Sequence, residues 1–272
     1  MRTALIQMRS GIDPKANLAA SEALIREAAG AGAQLVATPE TTHLVQKDAD
    51  RLFEVIRSPE DDPAIPFYAD LAGELGIHLL IGSLALRIGE RRAVNRAFLF
   101  GPDGHTIATY DKVHMFDVGL GAGETYSEST NYQAGSEAVL ADIGAAMLGL
   151  TICYDVRFPY LYRSLAQAGA QILTVPAAFT RPTGKAHWET LLRARAIETG
   201  SYVIAPAQGG LHEDGRKTWG HSLIVGPWGD VIAELDHDEP GILVADLDLS
   251  KVETARTRIP ALSHDRTVSG PL

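Results

Sequence analysis

The chain has 272 residues, of which 46% are hydrophobic and 21% charged, with a formal net charge of −10. That size and composition are typical of a globular protein, and we interpret residues 1–272 as a single domain. The acidic balance without a basic cluster excludes non-specific nucleic-acid binding, no apolar run reaches the ~18 residues of a membrane span, and one cysteine excludes an internal disulfide.

The first half of the chain predicts strands alternating with helices. We expect strands at 3–8, 34–38 and 77–86, helices at 14–29, 48–57 and 66–75, and a hairpin formed by 93–100 and 106–110. Because a strand-like segment follows residue 2 directly, we expect no secretory leader and a cytoplasmic location.

The second half predicts a similar alternation after a long segment, 111–135, that has little regular pattern. Long irregular segments within a domain are often functional. We expect strands at 145–152, 171–175, 202–205, 222–225, 231–234 and 241–246, helices at 161–167, 186–199 and 249–258, and a polar loop at 180–185.

Two short sequence repeats occur in the same order in the two halves. Residues 31–34 (AGAQ) precede a buried strand and Pro39, as residues 168–171 (AGAQ) precede one and Pro176. The turn at 101–104 (GPDG) is likewise matched at 226–229 (GPWG). We interpret this as two similar α/β halves joined in one sandwich of sheets, with helices outside.

Cys153 is the single cysteine and lies where an apolar strand ends and a turn begins. Ligands bind at such strand ends in α/β sheets, and nearby helix N–H groups favour the thiolate. The pattern therefore indicates a nucleophile, although a lone cysteine is also often a small buried hydrophobic residue.

Glu40 follows a buried strand and Pro39, where desolvation is expected to raise its pKa and suit it to be a general base. A solvated turn residue is the alternative. Lys112 and Glu128 are weak signals when each is taken alone. A catalytic metal is not expected, because the histidines lack metal-binding spacing, and the glycine-rich run 119–123 is interpreted as a loop rather than a dinucleotide site.

Three segments taken together resemble the signature motifs of the nitrilase, or carbon–nitrogen hydrolase, superfamily. They are Pro39-Glu40, residues 110–114 (YDKVH) and residues 149–159 (GLTICYDVRFP), in the order found in the family. Further segments resemble its Nit branch, whose amidases act on deaminated glutathione and on ω-amides of keto acids; these are 116–118, 128–129, 184–188, 192–198 and 220–229.

The resemblance implies a four-layer αββα sandwich that forms a homodimer, and a small-molecule amide as substrate, with no metal or organic cofactor. It implies a catalytic triad of Glu40, Lys112 and Cys153, with Glu128 orienting the site. Lys112 and the backbone N–H of Tyr154 would hold the oxyanion while Cys153 carries a thioester. We interpret Arg195 and Glu198 as a structural ion pair rather than a catalytic one.

The resemblance places five side chains at the substrate: Tyr154, Arg157, Phe179, Thr183 and His187. Of these, Arg157 is expected to pair with a substrate carboxylate. The segment 180–185 departs from the branch by carrying Arg181 and Lys185, which are interpreted either as contacts to a more anionic substrate or as solvated charges.

The first expectation is therefore an amidase of deaminated glutathione. The alternative is an ω-amidase acting on α-ketoglutaramate or another aliphatic amidase, and a true nitrilase is less favoured. Two hypotheses come from other classes: a catalytically idle ligand-binding protein, which the intact triad disfavours, and a thiol peroxidase, which would form a sulfenic acid at Cys153.

Overall fold

The computed structural model describes residues 1–121 and 124–270 of the chain. The α-helices in these residues are α1 (Pro14–Gly30), α2 (Ala49–Val55), α3 (Ala64–Leu75), α4 (Pro159–Gln167), α5 (Arg181–Thr199) and α6 (Ser250–Arg258). Short 3₁₀ helices span Glu128–Thr130, Cys153–Arg157 and Ala261–Ser263. Across the described ranges, none of the helices combines the length and the apolar character required to span a bilayer.

The strands of the first half and the C-terminal strand form one six-stranded sheet, in the order β16-β1-β2-β3-β4-β5. They are β1 (Arg2–Gln7), β2 (Leu35–Ala37), β3 (His78–Gly89), β4 (Arg92–Phe100), β5 (Thr106–Asp111) and β16 (Gly241–Asp246). The three strands β1, β2 and β3 are parallel, and the other neighbours are antiparallel.

A second six-stranded sheet has the order β15-β14-β11-β10-β9-β8. Its strands are β8 (Val139–Asp142), β9 (Met147–Leu150), β10 (Ile172–Thr174), β11 (Tyr202–Ala205), β14 (Leu223–Val225) and β15 (Val231–Glu234). Two hairpins complete the structure: β6 (Asp117–Gly121) with β7 (Glu124–Ser127), and β12 (Gly209–Leu211) with β13 (Lys217–Trp219).

The two sheets repeat one pattern of pairing, which confirms the two similar halves. In each sheet three central strands are parallel, one antiparallel strand flanks them on one side, and an antiparallel pair flanks them on the other. The antiparallel pairs β4–β5 and β14–β15 turn at the two Gly-Pro-containing segments that resemble each other in sequence. In the first sheet the single flanking strand is β16, which pairs with β1 although it comes from the second half of the chain.

Alternation along the strands separates the layers of the sandwich. In β1, Leu5 belongs to a core shared with the second sheet, whereas Ala4 and Ile6 pack with Ile25 of α1 and Leu71 of α3. Successive side chains on a strand point to opposite faces, so the first sheet has a helical layer on one face and the second sheet on the other. With α4 and α5 on the far side of the second sheet, the architecture is the expected αββα sandwich.

Two sequence-based predictions are wrong in detail. The polar loop expected at 180–185 is the start of α5, because Thr180 is an extended cap residue and Pro182 is tolerated in the first helical turn. The segment 111–135 is not wholly irregular, since it contains the β6–β7 hairpin. Of the glycine-rich run that was interpreted as a loop, Ala122 and Gly123 lie outside the described residues.

Candidate active site

Four side chains expected from the sequence meet at one cavity of about 580 Å³: those of Glu40, Lys112, Glu128 and Cys153. Glu40 follows β2, Lys112 follows β5, and Cys153 follows β9, so two of them come from the first sheet and one from the second. The stacking of the two sheets therefore assembles the site from both halves.

Cys153 occupies a strained turn at the end of β9. Its backbone φ of 50° lies in the left-handed region, which costs a non-glycine residue about 1–3 kcal/mol. The conformation is held because the Cys153 N–H donates to the carbonyl of Pro176 at 2.9 Å. The side chain is buried but lines the cavity.

Asp155 fastens this turn to the segment that carries Lys112. Its buried carboxylate accepts hydrogen bonds from the Ile152 N–H at 2.8 Å, the Tyr110 hydroxyl at 2.7 Å and the His114 N–H at 3.0 Å. Since His114 is two residues beyond Lys112, one carboxylate fixes the spacing between the two loops. This role of Asp155 was not predicted from the sequence.

Arg195 supports the same turn from α5. Its Nε donates to the carbonyl of Val156 at 2.7 Å, and its guanidinium pairs with Glu198 at 2.7 Å. This agrees with the structural interpretation of the pair, because neither side chain lines the cavity among the described residues.

The Lys112 ammonium lies between two carboxylates. Its Nζ is 2.8 Å from Glu40 Oε1 and 2.8 Å from Glu128 Oε2. Glu128 also accepts from the Phe116 N–H at 2.7 Å, and Glu40 accepts from the Ala178 N–H at 2.9 Å through its other oxygen. All three charged groups are therefore fixed by more than one contact.

Asn95 is a site residue that the sequence reasoning missed. From β4 its Nδ2 donates to Glu40 Oε1 at 2.9 Å and approaches Glu128 Oε1 at 3.4 Å. Its Oδ1 is buried and has no hydrogen-bond partner among the residues that the structure describes. An available signal was an amide side chain that follows two apolar residues within a predicted strand.

The charges of this cluster determine the protonation states. Burial raises the pKa of Glu40, but the adjacent Lys112 ammonium outweighs it and holds the pKa below its ordinary value. Burial lowers the pKa of Lys112, but the charges of Glu128 and Glu40 outweigh it and hold the pKa well above its ordinary value. Burial and the charge of Glu40 raise the pKa of the Cys153 thiol.

Two electrostatic predictions are therefore wrong. The pKa of Glu40 is not raised, because the prediction considered burial and not the ammonium that faces the carboxylate. The thiolate of Cys153 is not favoured, because burial of the side chain and the negative charge of Glu40 both raise the pKa of the thiol. At neutral pH the cluster holds a neutral thiol beside a carboxylate and an ammonium, so attack by sulfur requires transfer of the thiol proton.

Of the residues expected at the substrate, Tyr154, Phe179 and Thr183 line the cavity. Arg157 and His187 do not line it within the described part of the chain; they contact each other at 3.2 Å. The Arg157 guanidinium lies over the Tyr154 and Phe179 rings, at 5.9 and 5.5 Å from their centroids. It therefore contacts two residues of the cavity wall, and the pairing of Arg157 with a substrate carboxylate stays a prediction.

The cations expected on the 180–185 segment also lie away from the cavity lining of the described residues. Arg181 pairs with Asp238, and Lys185 is exposed on α5. The cavity is instead bordered by three cations that the sequence reasoning did not single out: Lys47, Arg216 and Lys217. No group of three or more potential metal ligands occurs in ranges 1–121 and 124–270.

Comparison with known proteins agrees with this geometry. A family model described as carbon-nitrogen hydrolase matches residues 2–257. A deaminated glutathione amidase from Synechocystis sp. is 40% identical over 265 residues, covering 96% of each chain, and the Homo sapiens enzyme of that name is 38% identical over 97% of this chain and 81% of its own.

Solved structures show the same similarity. The C. elegans NitFhit protein superposes with a TM-score of 0.91 at 37% identity, covering 97% of this chain, which spans 65% of that longer chain. An amidase from Nesterenkonia sp. superposes with a TM-score of 0.80 at 29% identity, covering 96% of this chain and 98% of its own. That structure shows the Michael addition of acrylamide at its active-site cysteine.

Proposed function

Because this chain belongs to the carbon–nitrogen hydrolase family and is a cysteine-dependent amidase, we propose that its substrate is deaminated glutathione and its nucleophile Cys153. The observation that carries the proposal is the cluster of Cys153, Glu40 and Lys112 on the floor of a cavity bordered by cations. Relatives that are 37–40% identical over almost the whole chain bear the name of that activity.

The first half of the reaction begins with the neutral thiol. Glu40, which lines the same cavity as Cys153, takes the thiol proton as the sulfur attacks the amide carbon. The oxyanion that forms is held by the Lys112 ammonium and the backbone N–H of Tyr154. Glu40 then gives its proton to the leaving amine, the C–N bond breaks, and the acyl group, which carries the α-keto acid at its far end, remains on Cys153 as a thioester.

The second half releases the acid. Glu40, again a carboxylate, accepts a proton from water while the water oxygen attacks the thioester carbon. The same two donors hold the second oxyanion, the C–S bond breaks, and the proton returns to the sulfur of Cys153. One amide and one water thus give a keto acid and a dipeptide, with the enzyme regenerated.

Glu128 acts in this scheme by holding Lys112. The two contacts from Glu128 Oε1 and Oε2 to Nζ, at 3.0 and 2.8 Å, fix the ammonium toward the sulfur while Glu40 changes protonation. Tyr154, Phe179 and Thr183 form the wall against which the substrate chain packs.

The test compares deaminated glutathione with α-ketoglutaramate and measures each product separately. We expect the first to give keto acid and cysteinylglycine in equal amounts without ammonia, at the higher kcat/KM. A higher kcat/KM for α-ketoglutaramate, with ammonia released, would instead identify an ω-amidase. Turnover of an organic nitrile in preference to both would contradict the amide assignment.

The raised pKa of the Cys153 thiol disfavours the peroxidase alternative. Peroxide reacts with thiolates, and this site suppresses the thiolate until a proton acceptor acts on it. Since the reaction needs a reduced cysteine, we propose the reducing cytoplasm as the compartment.

We also propose a homodimer that uses an exposed apolar face beside α5 and α6. Ile197, Trp228 and Ile259 are each more than half exposed and border a second cavity of about 390 Å³. Exposed apolar clusters of this kind favour self-association. Analytical ultracentrifugation is expected to give a dimer that Trp228→Glu dissociates, whereas a wild-type monomer would contradict this.

A further inference from the structure

Charge is divided between the floor and the rim of the catalytic cavity. The floor holds Glu40, Glu128 and Lys112, all with largely buried side chains, and carries one net negative charge. The rim holds Lys47, Arg216 and Lys217, of which the two lysines are exposed. We call these three residues the rim cations. An anionic substrate is therefore repelled at the floor and attracted at the rim.

Two of the rim cations have no acidic partner among the side chains that the structure describes. Lys47 and Lys217 form no ion pair with any residue in the described ranges, whereas Arg216 pairs with Asp214 at 3.1 Å. The Lys47 ammonium lies against the turn of the β12–β13 hairpin, since a Cβ on Gly215 would be 3.2 Å from Nζ. In a chain with ten net negative charges, a concentration of cations at the cavity mouth indicates an anionic ligand.

The hairpin that carries Arg216 and Lys217 is fixed to the first sheet. His212 contacts the Ser10 carbonyl at 2.8 Å and the Thr218 hydroxyl at 2.7 Å through its two ring nitrogens. Burial lowers the pKa of His212, so the ring is neutral and donates to Ser10 while accepting from Thr218. The backbone of the rim is therefore pre-organised, although the lysine side chains remain free to reach a ligand.

The rim cations lie on the side of the cavity from which Glu40 comes. Lys47 belongs to the same loop as Glu40, and Gln208, which immediately precedes the hairpin, donates to the Glu40 carbonyl at 3.0 Å. In the proposed reaction Glu40 protonates the leaving amine, so the amine side of the scissile bond must face this loop. The acyl side faces Cys153 and the aromatic wall, where it stays as a thioester.

We propose that Lys47, Arg216 and Lys217 form a subsite for the terminal carboxylate of the leaving peptide. The inference rests on the proposed function and adds a specificity determinant to it. A primary amide has ammonia as its leaving group and cannot use this subsite, whereas an amide of a peptide with a free C-terminus can.

The test uses Lys47→Ala, Lys217→Ala and the double variant, with Lys185→Ala as a matched control for removal of an exposed lysine outside the cavity. The substrates are deaminated glutathione, its C-terminal carboxamide and α-ketoglutaramate. We expect each single variant to raise KM for deaminated glutathione about fivefold and the double variant about 25-fold, with kcat little changed. The carboxamide and α-ketoglutaramate should respond less than twofold, as should every substrate to Lys185→Ala.

An equal rise in KM for deaminated glutathione and α-ketoglutaramate would overturn the proposal, because it would place the acyl carboxylate at the rim. No rise for either would overturn it as well. A binding measurement separates this result from failure of the proposed function. Calorimetric titration of Cys153→Ala protein with deaminated glutathione and its carboxamide needs no turnover. The proposal requires deaminated glutathione to bind more tightly than its carboxamide, and it requires Lys217→Ala to remove this difference in affinity.

Discussion

At the scale of single residues, the site depends on one buried ammonium shared by two carboxylates. Lys112 needs both partners, since removal of one charge leaves the other to draw the ammonium away from the sulfur. Replacement of Glu128 by glutamine keeps the volume but removes that charge. We expect Glu128→Gln to lower kcat about 100-fold with a smaller change in KM, because the ammonium acts chiefly on the oxyanion of the transition state.

Steady-state kinetics with deaminated glutathione measure this effect, and Glu253→Gln on the exposed face of α6 is the matched control. A kcat of Glu128→Gln within threefold of the wild type would show that Lys112 is positioned without Glu128. The far-UV circular dichroism of the variant must match the wild type for the kinetic comparison to count.

The pH dependence of kcat/KM follows from the directions of the pKa shifts. Glu40 must be a carboxylate to accept the thiol proton, and its lowered pKa keeps it so throughout the neutral range. The raised pKa values of Lys112 and Cys153 place their deprotonation on the alkaline side. We expect a flat profile from about pH 5.5 to 8.5, with the acid limb below the ordinary carboxyl range of about 4.3. An acid limb between pH 6 and 7 would contradict the assignment of Glu40.

The sequence was sufficient to predict the positions of Glu40, Lys112 and Cys153 but not their protonation states. Glu40 and Cys153 each follow a buried strand, a local pattern that can be recognised in the chain, whereas Lys112 was identified only through the resemblance to the family. The pKa of Glu40 depends on an ammonium 72 residues away in the sequence, and the contact of Asn95 with both glutamates depends on strand pairing. Arg157 shows the reverse case: it is near the nucleophile in sequence, yet it is not among the described residues that line the cavity.

At the scale of elements, the close approach of two loops at β3 determines how the site is assembled. A Cβ on Gly82 would lie 2.2 Å from the Thr38 carbonyl oxygen, 2.5 Å from that of Pro39 and 2.5 Å from Pro176 Cβ. Both prolines precede site segments, one leading to Glu40 and one whose carbonyl binds the Cys153 N–H. The absence of a side chain at Gly82 of β3 thus allows the two halves to meet.

We expect Gly82→Ala to destabilise the protein by about 1–3 kcal/mol and to lower kcat at least tenfold, because the three contacts are with backbone or ring atoms that cannot rotate away. Urea unfolding and steady-state kinetics measure the two effects. Gly241→Ala on β16 is the control, since its Cβ would meet no atom within 4 Å. Equal stability of the two variants would show that the close packing of the two loops against Gly82 is not needed.

The predicted elements agree best with the structure where an apolar periodicity is bounded by turn residues. The strands and helices of both halves lie within a few residues of their expected bounds, as in α1, which begins at Pro14 after the Asp13 cap. The strands that were not predicted are three to five residues long; they are β6, β7, β8, β12 and β13. Such segments carry too little local pattern, and their pairing depends on partners elsewhere in the chain.

At the scale of the whole molecule, buried histidines link stability to pH. His43 and His212 are almost fully buried, and burial lowers the pKa of both below the ordinary value. The unfolded chain binds protons at these sites below about pH 6.5, whereas the folded chain does not. Their contribution to stability is therefore present above that pH and is lost as the pH falls.

We expect the free energy of unfolding to decrease between pH 7.5 and 5 with a slope of up to about 1.4 kcal/mol per pH unit for each histidine. His212→Gln should reduce the slope, because an amide can donate to Ser10 and accept from Thr218 without titrating. Urea midpoints across this range measure it, with the exposed His264→Gln as control. An unchanged slope in His212→Gln would contradict the neutral state assigned to His212.

The layered architecture was predictable because the chain repeats itself: the two AGAQ segments and the two Gly-Pro turns mark equivalent places in the two sheets. The strand β16 was itself predicted at 241–246, but its return to the first sheet was not, since local sequence does not specify which strand an edge strand pairs with. Likewise, the rim cations converge only when the loop with Lys47 meets the β12–β13 hairpin.

The role of Cys153 as the nucleophile is tested best by the kcat/KM of Cys153→Ala for deaminated glutathione, with release of cysteinylglycine as the assay. The substitution removes the sulfur and leaves the charged cluster and the cavity in place. If the reaction proceeds through a thioester on this residue, kcat/KM falls by about 10⁴-fold or more while the variant still binds the substrate. Turnover within tenfold of the wild type would show that Cys153 is not the nucleophile and would contradict the account.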